Sequence, residues 1–237
     1  MAEVGAGSGT DAAHPVSAIT PTVPSRTANS LARIAFSFVR VNRQASEDPT
    51  VLVVAAAVAD SALSAQSEGV RLLMISDTHL PVRAKKLPDE VWAAVAAADV
   101  VFHAGDWVGV ELLDELEERA TRLVACWGNN DGTELRARLP EVARVELEGM
   151  SFAVVHETGT AAGRERRCES AYPDVDVLVF GHSHIPWDTT TPRGLRLLNP
   201  GSPTDRRRQP YGTFLTAKLG ASGLDEVVLH PVERPRA

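Results

Sequence analysis

Residues able to bind a metal ion follow short hydrophobic runs at five places along the second part of the chain. The runs end in SDTH, HAGD, WGNND, VVH and GHSH, and their polar residues are Asp77, His79, His103, Asp106, Asn129, Asn130, Asp131, His156, His182 and His184. Each motif alone has an ordinary explanation as a turn or a surface histidine. Because donors follow five apolar runs while the runs themselves stay apolar, the pattern favours one shared site.

The donor types indicate a site for divalent cations. Carboxylate, imidazole and amide ligands suit Mn²⁺, Fe²⁺, Zn²⁺ or Ni²⁺. Two cations about 3.5–4 Å apart need a bridging carboxylate, and Asp106 is left for that role once Asp77 and His79 are assigned to one cation. His182 and His184 are two residues apart, so in an extended turn they can face different cations.

The elements that must position these donors alternate between strands and helices. VRLLMIS, DVVFH and RLVACW predict strands, and LPDEVWAAVAAA and VGVELLDELEERA predict amphipathic helices between them. The apolar helix faces are Val91, Trp92, Val95 and Ala96 in the first and Val110, Leu113 and Leu116 in the second. This alternation predicts a parallel αβ sheet.

The C-terminal half predicts hairpins and single strands. RVELEGMSFAVVH is a hairpin that turns at Gly149-Met150, and WDTTTPRGLRLLN is another that turns at Pro192-Arg193-Gly194. VDVLVF between them predicts a buried strand, and YGTFLTAKL and LDEVVLHPV predict edge strands at the end of the chain.

Composition limits the class of protein. The chain has 237 residues, 44% of them hydrophobic, and a net charge of -7, which suits one domain with a tail. The acidic balance argues against stable binding to nucleic acid or to an anionic membrane. The longest apolar run, at 51–59, is too short to span a membrane. Two cysteines provide no disulfide framework and fit a reducing compartment, so we predict a cytoplasmic protein.

The first 69 residues differ in character from the rest. Residues 1–30 are rich in Gly, Ser, Thr, Ala and Pro and are predicted to be disordered, and LARIAFSFVRV and VLVVAAAVADSALSA predict two short helical segments after them. We therefore expect an N-terminal extension over 1–69, mostly disordered, and a single folded domain over 70–237. One hypothesis is that translation begins near Val70, and an N-terminal peptide from residues 1–60 in the native protein would exclude it.

The motifs SDTH, HAGD, GNND, VVHE, GHSH and NPGSP, in this order, resemble the calcineurin-like metallophosphoesterase superfamily. More narrowly, they are similar to the small bacterial and archaeal phosphodiesterases often called the YfcE family. The resemblance covers roughly residues 70–233. It implies an α/β (α+β) fold, a four-layer αββα sandwich of two mixed sheets flanked by helices. It also implies two divalent cations, with Mn²⁺ favoured over Ni²⁺, Fe²⁺, Zn²⁺ or Mg²⁺.

The resemblance also implies a role for each donor. One cation would be bound by Asp77, His79, Asp106 and His184, and the other by Asp106, Asn129, His156 and His182. Asp106, His103 and Asn130 are the residues expected to take part in catalysis, with His103 beside the ligands rather than among them. A metal-activated water would attack the phosphorus of a small phosphorylated substrate.

Two positions depart from the motifs of the superfamily. Asn130 stands where many members have a histidine that protonates the leaving group, and an amide cannot act as an acid at neutral pH. This favours phosphodiesters or activated leaving groups. Glu157 and Thr158 follow His156 where glycine is usual. Glu157 is interpreted as a solvated loop charge, with a place at the edge of the metal site as the alternative.

Two arginine clusters and two further functional classes complete the alternatives. Arginine suits phosphate, but such runs are more often solvated surface, which is favoured for Arg164, Arg166, Arg167, Arg206, Arg207 and Arg208.

A non-catalytic protein-interaction scaffold is the main alternative function, because the retromer subunit of this fold serves as one. A nuclease is disfavoured by the acidic charge, and a homo-oligomer is compatible with the sequence.

Overall fold

The structure is a computed structural model that describes residues 69–233. The predicted extension over 1–69, with its two helical segments, lies outside the described residues except for Gly69. In chain order the elements are β1 (Val70–Ile75), α1 (Asp89–Ala97), β2 (Val100–Ala104), α2 (Glu111–Arg119), β3 (Leu123–Cys126), α3 (Thr133–Arg138), β4 (Val142–Leu147), β5 (Met150–Val155), α4 (Arg164–Ala171), β6 (Val177–Phe180), β7 (Trp187–Thr190), β8 (Arg196–Asn199), β9 (Gly212–Gly220) and β10 (Gly223–Val232).

The first sheet has the strand order β10-β9-β1-β2-β3. β1, β2 and β3 are parallel, as the strand–helix alternation predicts, and β9 and β10 are added antiparallel. The prediction that both C-terminal strands lie at an edge is right for β10 and wrong for β9. The reason is that β9 is apolar on both faces, since Phe214 packs with the helices and Leu215 packs between the sheets.

The second sheet has the strand order β4-β5-β6-β8-β7. β5, β6 and β8 are parallel, while β4 and β7 pair antiparallel at the two edges. The first predicted hairpin turns at Glu148-Gly149, one residue earlier than expected, and Met150 already pairs with Leu147. Glu148 and Gly149 both have positive φ, 47° and 78°, as a tight two-residue turn requires.

Alternation along the strands builds three apolar layers. Leu72 and Met74 of β1 face the second sheet, while Leu73 and Ile75 face the helices α1 and α2. β5 and β6 alternate in the same way between the sheet–sheet layer and a layer under α4. Two-residue periodicity with both faces apolar requires cover on both sides of each sheet. The predicted four-layer αββα sandwich is thereby confirmed.

The helices differ from the expectation in detail. α1 buries Val91 and Val95, but Ala96 is exposed, so its predicted place on the buried face is wrong. α3 and α4 were not predicted, because TELRAR and RERRCESA are short and polar and present no apolar stripe. Among residues 69–233 there is no helix long and apolar enough to cross a membrane.

Candidate metal centre

The predicted donors meet where strands of both sheets end. β1, β2 and β3 of the first sheet and β5 and β6 of the second each lead into one of the five motifs. Within each sheet these strands are parallel, so their carboxyl ends share an edge. Side chains that are up to 105 residues apart in sequence are in contact there, as between His79 and His184.

One group of donors consists of Asp77, His79 and His184, all of them buried. The Nε2 atoms of His79 and His184 are 3.2 Å apart, and His184 Nε2 is 3.3 Å from Asp77 Oδ1. His79 Nε2 is 3.5 Å from Asp106 Oδ2. The members predicted for the first cation therefore face one another.

The other group consists of Asn129, His156 and His182. Asn129 Oδ1 lies 3.0 Å from His156 Nε2 and 2.9 Å from His182 Nδ1. His156 Nε2 is 3.3 Å from Asp106 Oδ2, the same oxygen that faces His79. Asp106 thus lies between the two groups, at the position expected for a bridging carboxylate.

Five of the seven predicted ligands have positive φ, between 46° and 69°: Asp77, His79, Asp106, His182 and His184. Residues other than glycine seldom have positive φ, although aspartate and histidine adopt it more readily than most, and the conformation costs about 1–3 kcal/mol for each residue. Such strain persists only where the surrounding structure holds it, and it concentrates at functional sites. The backbone is therefore bent to turn these donors toward one another.

Asp131 holds the loop that carries Asp106, a role that the sequence does not reveal. Its carboxylate accepts hydrogen bonds from four backbone N–H groups, those of Asp106 (3.1 Å), Trp107 (2.8 Å), Val108 (2.8 Å) and Gly128 (2.7 Å). The sequence places Asp131 among polar residues at a strand end, but nothing local distinguishes a ligand from a side chain that orders a loop.

The NPGSP segment and the residues after it tie the first motif to the rest of the site. Ser202 Oγ donates to the Asp77 carbonyl at 2.7 Å, and Thr204 Oγ1 donates to the Thr78 carbonyl at 2.6 Å. The Asp205 carbonyl accepts from His184 Nδ1. NPGSP is one of the motifs of the resemblance, but these hydrogen bonds were not predicted from the sequence, since their partners are more than 20 residues apart.

Two glycines of the motifs are required by close packing. A Cβ at Gly128 would collide with the Asp106 carboxylate, and a Cβ at Gly181 would collide with Ser76 Oγ. GNND and GHSH therefore begin with glycine because a side chain there would displace a predicted ligand or its neighbour.

Backbone carbonyls fix the tautomers of two histidines. His156 Nδ1 donates to the Ala104 carbonyl at 2.7 Å, and His184 Nδ1 donates to the Asp205 carbonyl. In the neutral ring the Nε2 lone pair of each then points into the site. Each lone pair faces oxygen or nitrogen atoms that also carry lone pairs. Such acceptors repel one another at these distances unless a proton or a cation lies between them.

The electrostatics of the site follow from burial and from pairing. Burial raises the pKa of Asp77 to about 7 and lowers the pKa of His184 to about 4. Burial would also raise the pKa of Asp106, but hydrogen bonds from His156 and Asn130 and the charge of His156 hold it below its ordinary value. The pKa of His156 is raised, because the Asp106 hydrogen bond and the charge of Asp77 outweigh burial.

The donor set fits divalent cations. Two ligands about 2.1 Å from one ion lie about 3.0 Å apart at a right angle and about 3.4 Å apart at a tetrahedral angle. In both groups the contacts described above, from 2.9 Å between Asn129 and His182 to 3.5 Å between His79 and Asp106, span this range. The ligand types, imidazole nitrogens with carboxylate and amide oxygens, also suit divalent cations.

The two remaining residues expected in catalysis occupy different positions. Asn130 Nδ2 donates to Asp106 Oδ2 at 2.6 Å, so its amide lies at the centre of the site. His103 is fully buried, and its ring contacts residues that belong to neither donor group. Its Nδ1 accepts from the Gly105 N–H at 3.2 Å, its Nε2 contacts Thr78 Oγ1 at 3.0 Å, and its ring stacks on Trp107.

The arginine clusters divide between interior and surface. Arg164 is only 5% exposed and lies between the rings of Phe180 and Trp187, so the expectation of a solvated side chain is wrong for it. Its long side chain packs in the layer under α4 that is otherwise apolar, with the guanidinium stacked on these two rings. Arg207 is exposed, with its guanidinium 3.5 Å from the His182 carbonyl.

A sandwich of two mixed sheets with carboxylate and imidazole donors at its strand ends defines a metallophosphoesterase-like domain. Residues 70–222 match the family model described as the calcineurin-like phosphoesterase superfamily domain. The chain belongs to this superfamily, and the resemblance drawn from its motifs is confirmed.

Proteins with similar sequences are named as phosphoesterases. The chain is 37% identical over 163 residues to a probable metallophosphoesterase of Methanocaldococcus jannaschii, covering 68% of this chain and 80% of that protein. It is 24% identical over 97 residues to a phosphodiesterase of the same organism, covering 36% of this chain and 57% of that protein.

Solved structures agree in fold. A Thermotoga maritima protein superposes with a TM-score of 0.56 at 29% identity, covering 68% of this chain and 99% of that one. Vps29 of Entamoeba histolytica in complex with Zn²⁺ superposes with a TM-score of 0.56 at 22% identity, covering 68% of this chain and 98% of that one.

Proposed function

We propose that the protein is a metal-dependent phosphodiesterase that acts on a small phosphorylated substrate in the cytoplasm. The observation that carries this proposal is the convergence of seven donors from five strand ends, with Asp106 between two groups. Membership of the superfamily supports phosphoester hydrolysis, and the relative named as a phosphodiesterase supports the diester as substrate.

In this proposal two divalent cations share Asp106. Asp77, His79 and His184 complete the first position, and Asn129, His156 and His182 complete the second. When bound, such cations supply an activated water and neutralise charge on the phosphoryl oxygens. Mn²⁺ is the cation we expect, because the donors mix imidazole with hard oxygen ligands.

The protein's own groups orient the site and limit the substrate. Asn130 directs its side-chain N–H and its backbone N–H toward the two Asp106 oxygens, at 2.6 Å and 2.9 Å, and so fixes the plane of that carboxylate. As a neutral amide it cannot protonate a leaving group. We therefore expect a diester or an activated leaving group. His103 is a positioning residue in this proposal, since it links Thr78 and Gly105 within the protein.

The test is hydrolysis of a generic aryl phosphodiester by the purified full chain. We expect activity with added Mn²⁺ and its loss with a chelator, and a higher rate on the aryl diester than on an unactivated phosphomonoester. A protein that binds Mn²⁺ but hydrolyses neither class in a screen of diesters, monoesters and cyclic nucleotides would contradict the proposal.

Metal binding should strengthen as the pH rises through 7. In the metal-free protein Asp77 keeps its proton to about pH 7, while in the unfolded chain it loses it near 3.8. The folded state therefore binds more protons in this window, and its stability falls as the pH rises toward 7. Because a ligating carboxylate must be deprotonated, Mn²⁺ should raise the melting temperature more at pH 8 than at pH 6.

Differential scanning fluorimetry at both pH values, with and without Mn²⁺, checks this expectation. Asp77→Asn should flatten the pH dependence of the metal-free protein, because an amide does not titrate in this range. An equal Mn²⁺ shift at pH 6 and pH 8 in the unmodified protein would contradict the assignment of Asp77 as a ligand.

A protein-interaction scaffold is the second candidate, and the fold shared with Vps29 favours it. Since that protein was solved with Zn²⁺, metal content alone does not separate scaffold from enzyme. Hydrolysis does, and a metal-loaded protein without phosphoesterase activity would favour the scaffold.

A further inference from the structure

The segment after His156 brings an additional carboxylate to the second donor group. Glu157 Oε1 lies 3.5 Å from His182 Nδ1. Ligand atoms of His156, Glu157 and His182 lie within 4.8 Å of one another. The Glu157 side chain is about half exposed, 53%, so it reaches the group from the solvent side.

The loop that carries Glu157 is held in place by arginines of α4. Arg167 donates from Nη2 to the Thr158 carbonyl at 3.0 Å and from Nη1 to the Ala162 carbonyl at 2.7 Å. Arg164 donates to the Gly159 carbonyl at 3.3 Å from its buried position. The backbone next to Glu157 is therefore anchored to the helix, and the approach of the carboxylate to His182 does not depend on a free loop.

We propose that Glu157 is a further protein ligand of the second cation, beside Asp106, Asn129, His156 and His182. This inference rests on the proposed function. The 3.5 Å contact with His182 matches the separation of two ligands on one ion, about 3.0–3.4 Å. It is also compatible with an exposed ion pair, and that is the alternative which the experiment must exclude.

The extra ligand gives the second cation position one more oxygen donor than the first. The first position has two carboxylates and two imidazoles, whereas the second has two carboxylates, one amide oxygen and two imidazoles. More oxygen ligands favour Mn²⁺ and Mg²⁺ over Zn²⁺. We therefore infer that the second position prefers the harder cations relative to the first.

The charge of Glu157 also bears on the substrate. The Glu157 carboxylate adds one negative charge at the second donor group. This charge disfavours the dianion of a phosphomonoester more than the single charge of a phosphodiester. Glu157 is thus a specificity-determining residue that favours the diester.

The test measures Mn²⁺ binding by calorimetry and by electron paramagnetic resonance, with Glu157→Gln compared with the full-length unmodified protein. Replacing a carboxylate ligand by a neutral amide should weaken one of the two Mn²⁺ sites by at least about tenfold, since even outer contacts of a metal ligand cost that much. The other site should be unchanged. Glu165→Gln, a change of the same charge at the start of α4, is the matched control and should bind both ions normally.

Each outcome decides the matter. Unchanged affinity for both ions in Glu157→Gln overturns the inference and leaves an exposed ion pair, while the proposed function stands. Equal weakening by Glu165→Gln also overturns it, since the effect would then be one of general charge. An unmodified protein that binds no Mn²⁺ overturns the inference together with the proposed function. As a second readout, Glu157→Gln should raise the ratio of monoester to diester hydrolysis.

Discussion

Asp106→Asn should lower Mn²⁺-dependent hydrolysis of an aryl phosphodiester by about a thousandfold or more. Asp106 Oδ2 faces His79 at 3.5 Å and His156 at 3.3 Å, so both cation positions depend on this carboxylate. Metal ions contribute several kcal/mol of charge stabilisation in phosphoryl transfer, and about 4 kcal/mol corresponds to about a thousandfold in rate. Steady-state kinetics with saturating Mn²⁺ measures the loss.

Comparison with His184→Asn and His182→Asn identifies the cause. Asp106→Asn should weaken both Mn²⁺ sites, whereas each histidine variant should empty a different one, because His184 faces Asp77 and His182 faces Asn129. Circular dichroism confirms that each variant folds. Full activity in Asp106→Asn, or loss of the same single site in both histidine variants, would contradict the shared-carboxylate arrangement.

Asp131→Ala should destabilise the protein by about 4 kcal/mol. The side chain is buried, and its removal leaves four backbone N–H groups without a partner, those of Asp106, Trp107, Val108 and Gly128. A buried unsatisfied group costs about 1–3 kcal/mol, and water entering the space left by the carboxylate recovers part of the total. Urea unfolding of the metal-free protein gives the difference in free energy.

The control for this prediction is Asp89→Ala at the start of α1. Its side chain is 85% exposed and pairs only with Lys86 among the ion pairs of the described region, so the loss should be less than about 1 kcal/mol. If Asp131→Ala were as stable as Asp89→Ala, the four hydrogen bonds would not be what holds the Asp106 loop.

Asp131 also connects stability with the proposed activity. Its carboxylate fixes the backbone of Asp106 and of Gly128, and Gly128 in turn lies against the Asp106 carboxylate. The positive φ of Asp106, 61°, is maintained by these contacts. The cost of the positive φ at Asp106 is therefore offset by the hydrogen bonds that the Asp131 carboxylate accepts.

The sequence by itself predicted most of the strands and nominated the donors. Two-residue alternation of apolar side chains is local, so VRLLMIS and VDVLVF identify buried strands without any partner being known. Donor chemistry is local as well, because aspartate, histidine and asparagine after a strand have the same ligand atoms in any fold. For this reason the parallel strands and the candidate residues for a metal site could be predicted from local patterns, whereas the four-layer sandwich was expected from the resemblance of the motifs to the superfamily.

Only the tertiary structure decided how these residues are held and which neighbours they have. Asp131 reaches Asp106 across 25 residues, and Ser202 reaches Asp77 across 125. Arg164 is charged in sequence but stacks between Phe180 and Trp187 in the fold, and Glu157 meets His182 through a loop anchored by α4. Hydrogen bonds and burial depend on distances between remote parts of the chain, and sequence periodicity contains no information about those distances.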